Sequence, residues 1–309
     1  MTKRTILAVA VALAALTCPA AVTQAKEPPA LVTSDRGLTE SVLTMRVRGD
    51  LTFGPDGVVK EHHITTKLDP KVAEYIDKTI GKLKFKPYLQ DGVPVNAKTY
   101  FQITLAAHPK DGGYAISVDN SQFNDTEYLP SKELRKQVKS SRKCVVDCIV
   151  YAPDPPVYPM GLWAAGVSGG VMVHLYLNPD GTVADAVVAQ SALYNIRGND
   201  GLLDYARKLM EDQSLEYARH IRAAPGSGSP LVGDDHLVAT LPFDFNPNGR
   251  SKTDNEGKWR LEQRGKRNVA SWLANDPDRW VGVSDTSGGG FMAMKDSPYK
   301  LVPNDAHTP

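Results

Sequence analysis

The strongest constraint on this chain is a β-turn unit that occurs twice. Val171, Val173, Leu175 and Leu177 alternate with Met172, His174 and Tyr176, the period-two pattern of a half-buried strand. Asn178-Pro179-Asp180-Gly181 follows, and a Val-rich run returns through Val183 to Val188. Proline presets φ in that turn, and glycine takes positive φ without a steric penalty. Earlier in the chain, Met45, Val47, Leu51 and Phe53 share one face while Arg46, Arg48, Asp50 and Thr52 share the other. Gly54-Pro55-Asp56-Gly57 and Val58-Val59 complete the same unit, with Asp56 lying 124 positions before Asp180. Two Pro-Asp-Gly hairpins, each followed by a helical pattern and a further β run, suggest an internal duplication.

Each half supplies its helix and closing strand. Asp69-Pro70 is a helix start, an N-cap followed by a residue with preset φ. Val72, Ile76, Ile80 and Leu83 form the apolar stripe, Pro87 stops it, and Tyr100–Leu105 is the closing strand. In the second half Asn199 or Asp200 caps a helix carrying Leu202, Leu203, Ala206, Leu209 and Met210, and the closing run extends from Leu237 to Phe243. Pro242 restricts that strand to an edge or an end. Between the halves, Tyr114–Val118 reads as an added strand and Ser131–Lys143 as a basic helix with a solvated face.

The expected fold is α+β, with two tandem two-layer units, each a small antiparallel sheet (hairpin plus closing strand) packed on an α-helix. The expected boundaries are a signal peptide over 1–25, a flexible lead-in over 26–42 and a first repeat over 43–119. A linker over 120–156 with the basic helix and a Cys pair, a second domain over 157–245 and a tail over 246–309 complete the chain. The tail shows no convincing core pattern. Arg260–Ala274 reads as a helix, with Trp259, Trp272 and Trp280 as docking groups.

Lys3 and Arg4, the apolar run Ile6–Leu16 and Thr23-Gln24-Ala25 form the three parts of a cleaved secretory signal. The apolar run is short for a bilayer, which takes about 20 residues to cross. Net charge is +1, from 36 basic and 35 acidic residues, so no strong field favours nucleic acid or an anionic membrane. Export favours a disulfide between Cys144 and Cys148. In an extended strand, however, those positions lie about 13 Å apart, beyond the roughly 7 Å limit for a bridge. The pair therefore requires a local turn, and two free thiols are the competing state.

The second unit resembles the C-terminal domain of TonB-type energy transducers. The residues that carry the likeness are Val157-Tyr158-Pro159, Gly166-Val167-Ser168-Gly169-Gly170-Val171, the alternating strand, Asp180-Gly181 and the Val-rich return. The first unit matches another part of the pattern, in Leu83-Lys84-Phe85-Lys86-Pro87 and Gly92-Val93-Pro94-Val95, with leucine where tryptophan is usual. The first lacks the Tyr-Pro opening, and the second has Ala223-Ala224-Pro225 in place of Phe-x-Pro. The resemblance implies a periplasmic domain that binds an exposed segment of an outer-membrane receptor by strand pairing. It maps Tyr158 and Pro159 to the opening motif, and Leu237, Val238, Ala239, Thr240 and Leu241 to the strand that pairs with the partner. Tyr100–Leu105 is the first-copy equivalent. Self-association through sheet edges is a further expectation.

A force-transmitting member of that family needs a retained membrane helix and a long proline-rich spacer. Only residues 26–42 precede the first unit here. The leading expectation is thus a non-enzymatic periplasmic binding module, with a membrane-anchored energy transducer as the alternative. A periplasmic serine hydrolase is more remote. Gly166-Val167-Ser168-Gly169-Gly170 fits Gly-x-Ser-x-Gly by letter, but a nucleophile elbow has a strand before its serine and a helix after it, whereas a strand follows here. Ser140–Lys143 fits Ser-x-x-Lys without the motifs that accompany it. His62 and His63 point to opposite strand faces, and His174 reads as a surface residue. No cofactor, metal or nucleic-acid partner is expected.

Overall fold

The alternating runs form long strands. A computed structural model describes residues 31–33, 39–124, 148–154, 157–224, 237–247, 254–273, 283, 292–293 and 298–302. Its first part contains β1 (Leu31–Thr33), β2 (Glu40–Phe53), β3 (Val59–Ile64), α1 (Pro70–Ile80), β4 (Leu89–Gln90), β5 (Val93–Pro94), β6 (Ala97–Lys110) and β7 (Gly113–Asn124). Next come β8 (Cys148–Tyr151), α2 (Met160–Ala164), β9 (Ser168–Leu177), β10 (Val183–Tyr194), α3 (Asp200–Arg219), β11 (Arg222–Ala224) and β12 (Leu237–Phe245). The last described strands are β13 (Arg260–Arg264), β14 (Asn268–Ala270) and β15 (Met292–Ala293). Nine strands join one sheet in the order β15-β12-β9-β10-β13-β2-β6-β7, with β3 also paired to β2. The architecture is α+β and its sheet pairings are antiparallel.

β2 is the spine. One edge pairs with β6 from Leu43↔Ala107 to Phe53↔Ala97. Four segments share the other edge. β13 lies along Glu40–Thr44, and Asn255 and Gly257 bond the backbone of Arg46. Thr65 and Thr66 then donate to the carbonyl of Arg48, and β3 completes the edge along Gly49–Phe53.

Both main helices pack on one face of this sheet. Asp69 accepts from Lys71 N at 2.9 Å and Pro70 opens α1, as the sequence pattern predicts. Val72, Ile76 and Ile80 are buried beneath it against Val47, Leu51, Phe53, Phe101 and Ile103. An isolated 11-residue helix is marginal in water, whereas each such apolar side chain contributes about 1.5–3 kcal/mol on burial. Asn199 caps α3 through Leu202 N. That helix buries Leu203, Ala206 and Met210 but leaves Leu202 64% exposed, because one position back along a helix is about 100° off the stripe.

The opposite face of the sheet is charged, and it is also buried. Glu262 on β13 is 0% exposed and lies between Arg260 and Arg264, each 2% exposed. Arg260 Nη2 donates to Glu262 Oε1 at 2.5 Å, Arg264 Nε to Oε2 at 2.8 Å and Thr44 Oγ1 to Oε1 at 2.8 Å. Arg264 also holds Asp119 of β7 through two bonds, at 2.8 and 3.0 Å, and Glu40 of β2 at 3.0 Å. The Arg260 guanidinium sits 3.7 Å from the ring centre of Tyr194 on β10. Burial alone would raise the Glu262 pKa. The two flanking guanidiniums overcome that effect and hold it down at about 2.

The helix expected across Arg260–Ala274 is not formed. That stretch makes β13, β14 and a 3₁₀ turn at Ser271–Leu273. Arg260, Glu262 and Arg264 alternate with Leu261 and Gln263, and the period of two places all three charges on one face between β2 and β10. Within the expected flexible lead-in, Leu31–Thr33 pairs with Asn268–Ala270. The added strand expected at Tyr114–Val118 forms as part of β7. The basic helix expected at Ser131–Lys143 lies outside the described residues. Replacing Glu262 by Gln leaves two buried guanidiniums without their shared carboxylate, a change that costs about 3–5 kcal/mol in buried ion pairs. Urea unfolding of Glu262→Gln should show that loss, and a change below about 1 kcal/mol would refute the structural role.

Candidate functional site

The strand that the resemblance maps to partner pairing is β12. Its position follows from the turn before it. Gly181 adopts φ 82°, and a Cβ added there would lie 2.5 Å from the Ala223 carbonyl oxygen, so only glycine fits. Asp180 Oδ1 accepts from Thr182 N at 2.9 Å and from its hydroxyl at 2.6 Å. The hydroxyl bond is the main cause of a lowered Asp180 pKa. The fixed hairpin of β9 and β10 carries α3 back across the sheet, and β12 then pairs with β9 from Leu237↔Leu177 to Phe245↔Gly169.

Leu237, Ala239 and Leu241 are buried in the core shared with α3. Val238 and Thr240 occupy the alternate positions, with Thr240 buried on the opposite face. On its outer edge, β12 carries β15 at two positions, Ala239↔Ala293 and Thr240↔Met292. The segment expected to end the sheet is therefore second from its end, and part of the tail lies against it. What this strand leaves open is its backbone edge, because its apolar side chains are already committed to the core.

Tyr158 and Pro159 are elsewhere. The Tyr158 hydroxyl donates to the Val167 carbonyl, and its ring meets Phe245 edge-on at 5.5 Å. Burial, assisted by Asp244, pushes its pKa up to about 12. Pro159 is the N-cap of the short helix α2. Tyr158 therefore pins the Phe245 end of β12, four residues beyond Leu241, and its hydroxyl bonds within the chain. Ser168 is buried at the start of β9, opposite Tyr194. Cys148 lies on β8, paired with Ala224, while Cys144 is outside the described residues. His62 and His63 engage different carboxylates, Asp77 at 2.8 Å and Asp50 at 3.7 Å, as their opposite strand faces require.

His174 departs from its expected surface position. It is 1% exposed, with Nδ1 3.2 Å from Thr240 Oγ1. The segment after β13 folds back along β10 and converts this sheet face into interior. Gly265 N donates to Ser191 O and Asn268 Nδ2 to Val188 O. Trp272 Nε1 donates to Asp185, and its ring stacks on Tyr176 at 5.4 Å. Alternation along β9 placed His174 opposite the helix face correctly, but gave no indication that a distant segment covers it.

Burial pushes the His174 pKa down to about 4. The unfolded chain, with an ordinary value near 6.5, binds the proton more readily. The stability contributed by a neutral His174 is present above about pH 6.5 and is lost as pH falls toward 4, a swing of about 3 kcal/mol. His174→Gln should flatten the denaturation midpoint over that interval, and an unchanged pH dependence would contradict the assignment. Comparisons with protein-family models, with curated proteins and with solved structures find no match to this chain.

Proposed function

We propose that this chain is a non-enzymatic, periplasmic protein-binding module of the TonB C-terminal type. In this reading it consists of two tandem two-layer units and binds an extended segment of an outer-membrane receptor or another envelope protein by strand pairing. The internal symmetry of the fold supports the tandem reading. The first half has the order β3-β2-β6, with α1 between β3 and β6 in sequence, and the second has β10-β9-β12, with α3 between β10 and β12. In both, the chain leaving the helix returns to the hairpin turn. Phe85 N donates to Gly57 O at 2.8 Å, and Ala223 N donates to Gly181 O at 3.0 Å.

The outer edge of β12 is the observation that carries the binding reading. Its inner edge is paired along the whole strand, whereas its outer edge is paired at only two positions among the described residues. An open edge offers backbone donors and acceptors to an extended peptide. Other edges are less suited. β13 closes the facing ends of β2 and β10. β3 presents Lys60, Glu61 and His63, and β7 is broken by a bulge at Asp119, whose side chain turns inward to Arg264. Charges, bulges and inward-pointing acids all discourage strand addition.

The expected signal peptide lies outside the described residues, and among those that are described no helix is long and apolar enough to cross a membrane. Intact mass of the exported protein tests localisation. A mature start at Lys26 in the soluble periplasmic fraction is the expected result, and a retained Met1 end in the inner membrane would favour the anchored transducer. Hydrogen exchange with synthetic peptides from periplasm-facing receptor segments tests the edge. Amides within Leu241–Phe245 should gain protection on binding. Protection confined to Tyr114–Val118, or none with any peptide, would sink the β12 assignment.

A further inference from the structure

The face of β9 that carries His174 brings together chemistry that strand pairing does not use. Met172 and His174 are alternate residues on one face, and the register sets Gln190 of β10 beside Met172 and Thr240 of β12 beside His174. Met172, Gln190 and Thr240 are as fully interior as His174, at 0, 4 and 0% exposure. Two polar atoms here have no hydrogen-bond partner among the described residues, His174 Nε2 and Gln190 Oε1. The Gln190 amide nitrogen is held by the Gly265 carbonyl at 3.2 Å, which fixes that side chain. Leaving a buried polar atom unsatisfied forfeits its hydration with no compensating bond. Two on one face, both on side chains anchored at their other end, point to a ligand that accepts their lone pairs.

The donor set defines its class. A neutral imidazole offers Nε2 as a lone-pair donor when Nδ1 carries the proton, and the Thr240 hydroxyl is placed to accept that proton's hydrogen bond at 3.2 Å. Such an outer-shell bond orients a ligating histidine and fixes its tautomer. The amide oxygen of Gln190 is uncharged, and the Met172 thioether is uncharged and soft. The register brings the Asp244 carboxylate close on this face, opposite Gly170 and next to the Pro242↔Met172 pair, while the three atoms of the set itself are all uncharged. Thioether and imidazole together select a soft cation such as Cu(I).

We propose that Met172, His174 and Gln190 form a buried site for a soft monovalent cation, with Thr240 as the positioning residue for the His174 ring. Strand geometry allows it, since residues two apart on one strand and their cross-strand neighbours lie within about 5–8 Å between Cα atoms. The site uses the side chain of Thr240, whereas pairing at the β12 edge uses backbone groups.

Silver(I), a redox-inert soft cation, is the probe. It is titrated into the mature chain, from Lys26, with Cys144 and Cys148 replaced by serine, so that thiolates do not compete. The expected result is saturable one-to-one binding that shifts the His174 Nε2 resonance and raises the unfolding temperature, with no response to Mg²⁺. Met172→Leu keeps the core volume and should weaken binding at least tenfold, as should His174→Gln. Thr240→Val should weaken it by about 10–100-fold, as loss of an outer-shell partner does. Binding that leaves the His174 resonances unmoved, or survives Met172→Leu and His174→Gln undiminished, would overturn the site. So would no binding at all.

Discussion

The structure depends on one short strand held by charge. Arg260, Glu262 and Arg264 of β13 enter between β2 and β10, and every one of the three is interior. Burying an isolated carboxylate or guanidinium is costly, and only a closed set of partners makes it tolerable. Here the set closes across three other strands. Thr44 and Glu40 come from β2, Asp119 from β7 and the ring of Tyr194 from β10. The polar face is therefore specific in a way that an apolar seam would not be, because a one-residue slip of β13 would turn all three charges into the helix layer.

The apolar side of the sheet works differently. Each half has its own cluster, one around Phe53, Phe85 and Ile76 and one around Val173, Leu175 and Met210. Phe53 and Phe85 stack at 4.4 Å, bringing the strand end and the post-helix segment together beside the first turn. Both hairpin turns receive the chain as it leaves the helix, and that close backbone approach explains why each turn ends in glycine. A Cβ at Gly57 would fall 1.9 Å from the Phe85 oxygen. The turn glycines thus set tertiary packing as well as local φ. Function, in the reading proposed here, lies where this framework leaves backbone groups open.

Much of the local structure was legible in the sequence because its causes are local. The hairpins followed from period-two alternation and Pro-Asp-Gly, and α1 from Asp69-Pro70 and the Val72, Ile76, Ile80 stripe. Of the candidate site, the location of β12 was legible, but its occupied outer edge was not, since β15 comes from about 50 positions downstream. The resemblance mapped Tyr158 to the opening motif, and what the sequence did not show is that its hydroxyl bonds the Val167 carbonyl. The alternating Arg260-Leu261-Glu262-Gln263-Arg264 was itself a strand signal. It was obscured because charged residues in alternation do not resemble a half-buried strand until their partners are known.

The sequence by itself determined which residues share a face, where the chain turns and where α1 and α3 begin. Those are set by backbone sterics, capping and side-chain period within a few residues. Only the tertiary structure decided that the face away from the helices would also be buried at these positions. Arg46, Arg48 and His174 all fall on the face away from the helices, as alternation requires, and all three are nonetheless buried. Burial there depends on segments far along the chain folding back to cover it, at Asn255–Gly257 for β2 and at Gly265–Leu273 for β10, where the Asn268 and Trp272 bonds span 80 and 87 positions. A long-range contact of that kind leaves no periodic trace in the strand it covers.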